Sequence, residues 1–181
     1  MGTLLTDADL LESARNGDAD PLVRAYVDDV YRTALRVLGD ADLAADATQD
    51  AFVNAIGALA RFRGESSLRT WLQRIAVNAA HSIGRRRMRR REVALEAAVA
   101  TPASGPRLDE RTVVRAELDR AERALAKLPE KQRLCVSLRI QEDLSYAEIG
   151  EIVGCSEAAA RVNYHYGVQR LREVLGDDDA M

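Results

Sequence analysis

The chain has 181 residues, of which 47% are hydrophobic and only 4% aromatic, and Gly and Pro are sparse. This length suits two small domains, and the composition favours helix over strand throughout, so we expect an all-α protein. No apolar stretch is long enough to span a membrane, and the N-terminus is acidic where a signal peptide is basic. We therefore expect a cytoplasmic protein without membrane insertion.

The sequence contains no recognisable set of residues for metal-dependent or covalent catalysis. Cys135 and Cys155 stand apart from any CxxC or Cys/His cluster, and His81 and His165 lie on different predicted helices. This spacing signals neither a zinc site nor a disulfide framework, and no nucleophile stands beside a general base. We predict no metal, no cofactor and no catalytic residue, which leaves a small helical enzyme as the weakest hypothesis.

The formal net charge of −3 hides a strong asymmetry along the chain. Residues 1–60 hold four Arg against eleven Asp and Glu, whereas residues 61–91 hold ten Arg against the single Glu65. A protein that holds DNA with one surface and a different partner with another has this pattern, whereas a simple basic DNA-coating protein does not.

Two amphipathic helices are predicted in the acidic segment. Asp20-Pro21 is typical of a helix start, and Gly39-Asp40 ends the apolar periodicity that follows. A second helix begins at about Asp42. Its predicted inner face carries Leu43, Ala47, Phe52, Ile56 and Leu59, and other faces carry Asp46, Gln49, Asp50 and Asn54. From composition alone, the simplest interpretation of this acidic face is a solubilising surface.

A loop at 61–67 mixes aromatic and basic residues and precedes a third helix. A serine is the expected cap of that helix, Trp71 is expected in the core, and Phe62 either stacks on an unpaired base or plugs the loop. The helix ends in Gly84 and six arginines within residues 85–91. These arginines form either a solvated helix end or, as we favour, a DNA backbone contact that neutralises phosphates.

The periodicity fades between about residues 92 and 113, where Ala, Thr, Pro, Ser and Gly are typical of a linker. Beyond it, Ser145-Tyr146-Ala147-Glu148 is a capping box, Gly154 ends a short helix and Ser156 caps a longer one that runs to about Leu175. This order predicts a helix-turn-helix, with an ordinary helical hairpin as the alternative. The predicted outward face of the second helix carries Glu157, Arg161, His165, Gln169 and Arg172.

Motifs in both halves resemble the extracytoplasmic-function (ECF) group of bacterial RNA polymerase sigma factors. The region 2 pattern is carried by Gly39-Asp40, the stretch 46–52 (DATQDAF), the stretch 62–67 (FRGESS), Thr70-Trp71-Leu72 and the stretch 74–78 (RIAVN) followed by arginines. The region 4 pattern is carried by Leu128-Pro129, Gln132-Arg133, Leu144-Ser145-Tyr146, Glu148-Ile149 and Cys155-Ser156.

The resemblance implies three surfaces. A surface that docks on the clamp helices of the polymerase β′ subunit would include Asp46, Gln49, Asp50 and Phe52. A surface for the minus-10 element would include Phe62, Arg63, Gly64, Ser66, Ser67, Asn78, Arg85, Arg86, Arg87 and Arg89. A helix-turn-helix surface for the minus-35 element would include Arg139, Ser156, Glu157, Arg161, Val162, His165 and Tyr166.

The resemblance also implies a domain plan and partners. Region 2 would occupy residues 1–91, a linker 92–113, region 4 the residues 114–176, and an acidic tail 177–181. The expected partners are core RNA polymerase, through its β′ clamp helices and β flap, promoter DNA and an anti-sigma factor. The alternative is a free-standing helix-turn-helix regulator that acts without polymerase; such a protein would normally dimerise on a palindrome.

Overall fold

The computed structural model describes residues 5–95 and 113–178, and these residues contain no strand. The all-α prediction is confirmed. Most of the predicted linker, residues 96–112, and the last three residues of the predicted acidic tail lie outside the described residues. The helices are α1 (Asp7–Arg15), α2 (Asp20–Leu38), α3 (Ala41–Ala58), α4 (Leu68–Leu95), α5 (Val113–Ala126), α6 (Glu130–Gln141), α7 (Tyr146–Val153) and α8 (Glu157–Asp178), with a short 3-10 helix at Leu59–Arg61.

Helices α1 to α4 form the N-terminal half. Its core joins Leu22 and Val30 of α2 to Leu68, Trp71 and Leu72 of α4, all of them buried. Trp71 is a core residue, as predicted. Helix α1 was not predicted from the sequence, although Thr6 and Asp9 form the capping box that begins it.

Helix α3 buries mainly alanines, together with Phe52, and exposes the apolar side chains of Val53 and Ile56. The core-facing side of α3 carries alanines at three- and four-residue spacing, namely Ala44, Ala47, Ala51 and Ala55. Because these side chains are small, α2 and α4 can pack close to α3. The prediction that Ile56 lies on the inner face is wrong, because its side chain is 41% exposed. The alanine stripe already fills the inner face, so Ile56 is left at the edge of it.

Helix α4 continues through Gly84 and the arginines to Leu95. Arginine is a good helix former, and Gly84 lies opposite Leu38, where a Cβ atom would come within 3.7 Å of that side chain. Gly84 therefore marks a close approach of α4 to the end of α2. The arginine cluster is carried on a regular helix.

Helices α5 to α8 form the C-terminal half, and α7 with α8 forms the predicted helix-turn-helix. The Ser145 side chain accepts from the Glu148 backbone N–H at 3.3 Å, and the Glu148 carboxylate accepts from the Ser145 N–H at 2.9 Å, which confirms the capping box. The hydrogen bonds with Ser145 lower the pKa of Glu148. Gly154 ends α7 with a φ of 71°, and the Ser156 hydroxyl caps α8.

The two cysteines have different environments, and this difference is testable. Cys135 is fully buried in the C-terminal core, and burial raises the pKa of its thiol to about 12, whereas Cys155 is half-buried after α7. Since the thiolate is the reactive form, we expect a chromogenic disulfide reagent at pH 8 to modify one thiol in the folded protein and two in denaturant. In a Cys155→Ser variant the rapid reaction should disappear. Rapid modification of that variant would contradict the placement of Cys135.

Candidate docking surface and nucleic-acid interface

One exposed stripe runs along α3 and combines acidic with apolar side chains. Asp46 and Gln49 are exposed, Asp50 is half-exposed, and Val53 is 70% exposed. These residues lie at three- and four-residue spacing and therefore share one face of the helix. We call the set Asp46, Gln49, Asp50, Val53 and Ile56 the α3 stripe. An apolar patch rimmed by charge is typical of a site that binds another protein.

The structure separates Phe52 from the rest of the docking residues suggested by the sequence. Its ring is only 7% exposed and belongs to the N-terminal core. Phe52 therefore supports α3 from within. Val53, which the sequence reasoning missed, takes the exposed position beside it. Part of the signal was available, because Val53 follows both Gln49 and Asp50 at helical spacing, whereas Phe52 follows only Gln49.

Two arginines of α4 are joined to acidic residues of α3 and its cap. Arg86 contacts Asp50 at 2.7 Å, and Arg87 contacts Asp40 at 2.8 Å. Asp40 caps α3, and its hydrogen bonds with the Leu43 N–H and with Arg87 lower its pKa. Arg85, Arg86, Arg87 and Arg89 are all exposed. The cationic end of α4 therefore lies beside the acidic stripe, and one ion pair joins the two surfaces.

The loop at 62–67 is anchored at both ends. The Phe62 ring is half-buried against Trp71, with ring centroids 5.0 Å apart, so it packs as a plug and not as a free stacking platform. Ser67 caps α4 by accepting from the Thr70 N–H at 3.0 Å. Gly64 has a φ of 73°, a left-handed conformation that favours glycine. Between these anchors Arg63 and Gly64 are exposed and Ser66 is half-buried.

A cleft of about 320 Å³ opens between α3 and α4 beside Asn78. Asn78 is exposed, and the polar side chains of Asn54 and Ser82 also line the cleft. Its apolar wall includes Ala58 and Ile75, which also pack against the N-terminal core. The cleft therefore combines polar and apolar lining beside Asn78, and its volume is at the lower end of small-ligand sites.

The outward face of α8 is open. Val162 and Tyr166 are 52% and 59% exposed, and Arg161 and His165 are exposed beside them, whereas Ala160 and Gly167 are buried against the rest of the C-terminal half. Ser156 serves as the cap at the N-terminal end of this face. The exposed face of α8 thus carries polar, aromatic and apolar side chains, and the opposite face packs on the C-terminal half. A helix that enters the major groove has this arrangement.

Two arginines lie against Tyr146 at the front of the helix-turn-helix. Arg139 and Arg161 lie over the Tyr146 ring, at 5.4 Å and 5.2 Å from its centre. Arg139 also donates to the Leu144 carbonyl at 2.8 Å, and Arg161 pairs with Glu157 at 3.0 Å. Both guanidinium groups are therefore held in place while remaining partly exposed.

Comparison with known proteins assigns both halves. The Sigma-70 region 2 family matches residues 22–91, and the Sigma-70, region 4 family matches residues 118–171. The chain is 32% identical to the ECF RNA polymerase sigma factor SigW of Bacillus subtilis, an alignment that covers 92% of this chain and 95% of that one. It is 34% identical to the RNA polymerase sigma-H factor of Pseudomonas aeruginosa, with 97% and 94% covered. The chain belongs to the ECF sigma factors.

Solved structures show the same fold. The sigma factor RpoE of Bartonella quintana, in complex with the anti-sigma factor NepR, matches with a TM-score of 0.68 and 22% identity over 86% of this chain and 94% of that one. CnrH, in complex with the cytosolic domain of CnrY, matches with a TM-score of 0.68 and 23% identity over 95% of this chain and 98% of that one. The free-standing regulator is not favoured, because both sigma regions occur in one chain.

The described residues offer no candidate metal site and no candidate membrane span. Within residues 5–95 and 113–178, no group of three or more His, Cys, Asp and Glu side chains is placed to hold a metal ion. None of the helices in the same ranges is both long and apolar enough to cross a membrane. His81 contacts Glu130 at 2.6 Å, and His165 lies against Tyr164 on α8, so the two histidines have separate surroundings.

Proposed function

We propose that this sigma factor binds core RNA polymerase through the α3 stripe, opens the minus-10 element with α4 and the loop at 62–67, and reads the minus-35 element with α8. The observation that carries the proposal is the coexistence of an acidic-apolar stripe, a cationic helix end and an open recognition helix in one chain of the ECF family. The protein directs transcription initiation and contributes no catalytic residue of its own.

The α3 stripe is the surface that we assign to the β′ clamp helices. Asp46, Gln49 and Asp50 supply its charge and hydrogen-bonding groups, and Val53 and Ile56 supply apolar area that is lost to water on binding. The β flap would contact the C-terminal half, where Ile140 on α6 is an exposed apolar position. An anti-sigma factor would compete for surfaces of this kind, as expected for a family with solved sigma–anti-sigma complexes.

The minus-10 surface combines backbone neutralisation with base capture. Arg85 and Arg89 extend from the exposed end of α4 to contact phosphates, and each neutralised phosphate releases counterions from DNA. A flipped base would enter the cleft beside Asn78, which offers both a donor and an acceptor to a base edge. Because unstacking a base costs a few kcal/mol, holding it there favours the open promoter.

The minus-35 surface is the exposed face of α8. Arg161 and His165 offer donors to base edges or phosphates, and Val162 offers an apolar contact to a thymine methyl group. Arg139 and the Ser156 cap lie at the front of the motif, where phosphate contacts position a helix-turn-helix.

The decisive experiment mixes the purified protein with bacterial core RNA polymerase on gel filtration and then assays promoter-dependent transcription from a genomic library. We expect co-elution and new transcripts whose start sites share upstream elements. Binding to duplex DNA as a dimer, without co-elution with polymerase, would contradict the proposal and favour the regulator.

A further inference from the structure

One aromatic ring connects the helices α6, α7 and α8. Tyr146 is the first residue of α7, and its ring contacts the guanidinium groups of Arg139 on α6 and Arg161 on α8. The ring also packs edge to face against Tyr164 on α8, with ring centroids 5.7 Å apart. Tyr146 therefore touches both arginines of the minus-35 surface.

The orientation of the Tyr146 ring is set within the C-terminal half. The capping box of Ser145 and Glu148 fixes the backbone at the start of α7. The half-buried ring packs on the C-terminal core, and the contact with Tyr164 sets its tilt. Because an aromatic side chain has only two χ angles, these contacts leave it little freedom. A platform of fixed orientation is therefore present before DNA binds.

The two arginines depend on this ring to different degrees. Arg139 donates to the Leu144 carbonyl at 2.8 Å, so a backbone contact holds its guanidinium as well as the ring does. Arg161 pairs with Glu157 at 3.0 Å, but both of these side chains are more than half exposed. An exposed ion pair contributes little to holding two long side chains in one geometry. The orientation of the Arg161 guanidinium therefore depends mainly on Tyr146.

The orientation of a guanidinium group decides whether it can read a base. The group is planar, and in the major groove it pairs with a base edge through two N–H donors at once. Stacking on an aromatic ring fixes the plane of the guanidinium and leaves its donor edges exposed. An arginine that is already oriented loses less side-chain freedom on binding. We therefore expect the contribution of the ring to appear in DNA recognition.

We propose that Tyr146 is a positioning residue for minus-35 recognition, which orients Arg161 for a base edge before DNA binds and makes no contact with DNA itself. The recognition part of this inference rests on the proposed function, whereas the restraint of Arg161 in the free chain does not. The two parts therefore have separate tests.

The restraint is measured on the full chain by NMR relaxation of the arginine Nε–Hε groups. The Arg161 signal is assigned by its absence from an Arg161→Lys variant. We expect Tyr146→Leu to lower the order parameter of this group by at least about a third, from the range of a rigid site towards that of a flexible one. Tyr146→Phe keeps the ring and should retain the wild-type value. An Arg161 group that is equally ordered in Tyr146→Leu and wild type, or already flexible in the wild type, would overturn the proposal.

Recognition is measured with the complex of the full chain and core polymerase. The probes are promoter duplexes from the genomic library in which one minus-35 base pair is changed at a time. Arg161→Ala identifies the base pair that Arg161 reads, where we expect the preference to fall at least about 5-fold. Tyr146→Leu should lose preference at the same base pair by a similar factor, and should have no further effect in an Arg161→Ala background. Additive losses in the double variant, or no base pair affected by Arg161→Ala, would reject the recognition role.

Three comparisons separate positioning from other roles of the ring. Tyr146→Phe should recognise DNA as the wild type does, and a loss equal to that of Tyr146→Leu would show that the hydroxyl binds DNA directly. Ile152→Val is the stability control, because it removes a buried methylene from the same helix and should lower Tm without changing base preference. A changed preference in Ile152→Val would mean that lost stability alone is the cause. The salt dependence of binding should be unchanged in Tyr146→Leu, because Arg139 keeps its backbone contact, and a smaller slope would contradict the assignment to base reading.

Circular dichroism checks that each variant keeps its helix. If Tyr146→Leu loses helix, Tyr146→Met replaces it, because the flexible methionine side chain fills the space of the ring without an aromatic face. If the chain does not bind polymerase, the proposed function fails, and the relaxation measurement still decides whether Tyr146 holds Arg161.

Discussion

Asp50→Arg is expected to abolish co-elution with core RNA polymerase while leaving the fold intact. Asp50 lies at the centre of the α3 stripe, with Val53 and Asp46 on either side of it. Arginine at this position would place a positive charge against the polymerase groups that complement the carboxylate. Like charges that face each other across an interface cost several kcal/mol of binding free energy. We expect the affinity to fall at least about 30-fold, equivalent to about 2 kcal/mol, in a binding titration.

A second variant of the α3 stripe is needed because Asp50 also forms an ion pair with Arg86. Asp50→Arg also removes that pair, so Val53→Arg is measured beside it, because Val53 lies on the same stripe and is 70% exposed. Asp28→Arg is the matched control, an exposed aspartate of α2 outside the stripe. Normal co-elution by both stripe variants would show that polymerase binds elsewhere. Circular dichroism should show unchanged helix in all three.

Local signals were sufficient to predict much of this fold. The start of α4 follows from Ser67, and the start of α7 follows from the capping box of Ser145 and Glu148, because each depends on atoms only three residues apart. The helix-turn-helix was predictable for the same reason, since a short capped helix, Gly154 and a second cap define it. The start of α1 carried a similar signal at Thr6, which the sequence reasoning did not use.

Which face of a helix is buried was harder to predict. In α3 the inner face consists mainly of alanines, and the larger side chains Val53 and Ile56, which usually mark a core, lie outside. Periodicity of bulky residues fails where close helix packing requires small ones. Ile56 was placed on the wrong face of α3 for this reason.

The contacts between the two halves of the chain were not predictable from the sequence at all. Glu142 and its partners Arg36 and Arg69 are 106 and 73 residues apart in the chain, and a charged residue is usually solvated. Only the packing of α4 against α7 brings these groups together. The same holds for Gln73, a polar residue within an amphipathic helix, whose burial depends on the other half of the protein.

Gly150→Ala is expected to disable promoter recognition without affecting polymerase binding through α3. Gly150 is buried in α7, and a Cβ atom there would lie 2.7 Å from the Cys155 carbonyl and 3.3 Å from the Glu157 backbone nitrogen. Those atoms belong to the turn that leads into α8, so the turn has to shift. Such overpacking typically costs about 1–3 kcal/mol, and for a domain of this size each kcal/mol lowers Tm by about 4–8 °C.

The displaced turn also carries the Ser156 cap and the start of α8, the helix that we propose for minus-35 recognition, so a small shift there would move Arg161 and Val162 out of their proposed positions in the groove. We therefore expect the variant to co-elute with polymerase but to lose promoter-dependent transcription. Gly176→Ala is the matched control, because a Cβ atom in that position of α8 has nothing within 4 Å, and alanine there should stabilise the helix by about 0.5–1 kcal/mol. A Gly150→Ala protein with the wild-type Tm and full transcription would contradict this prediction. It would mean that the turn shifts without loss of stability and that the close packing of α7 on the turn does not position α8.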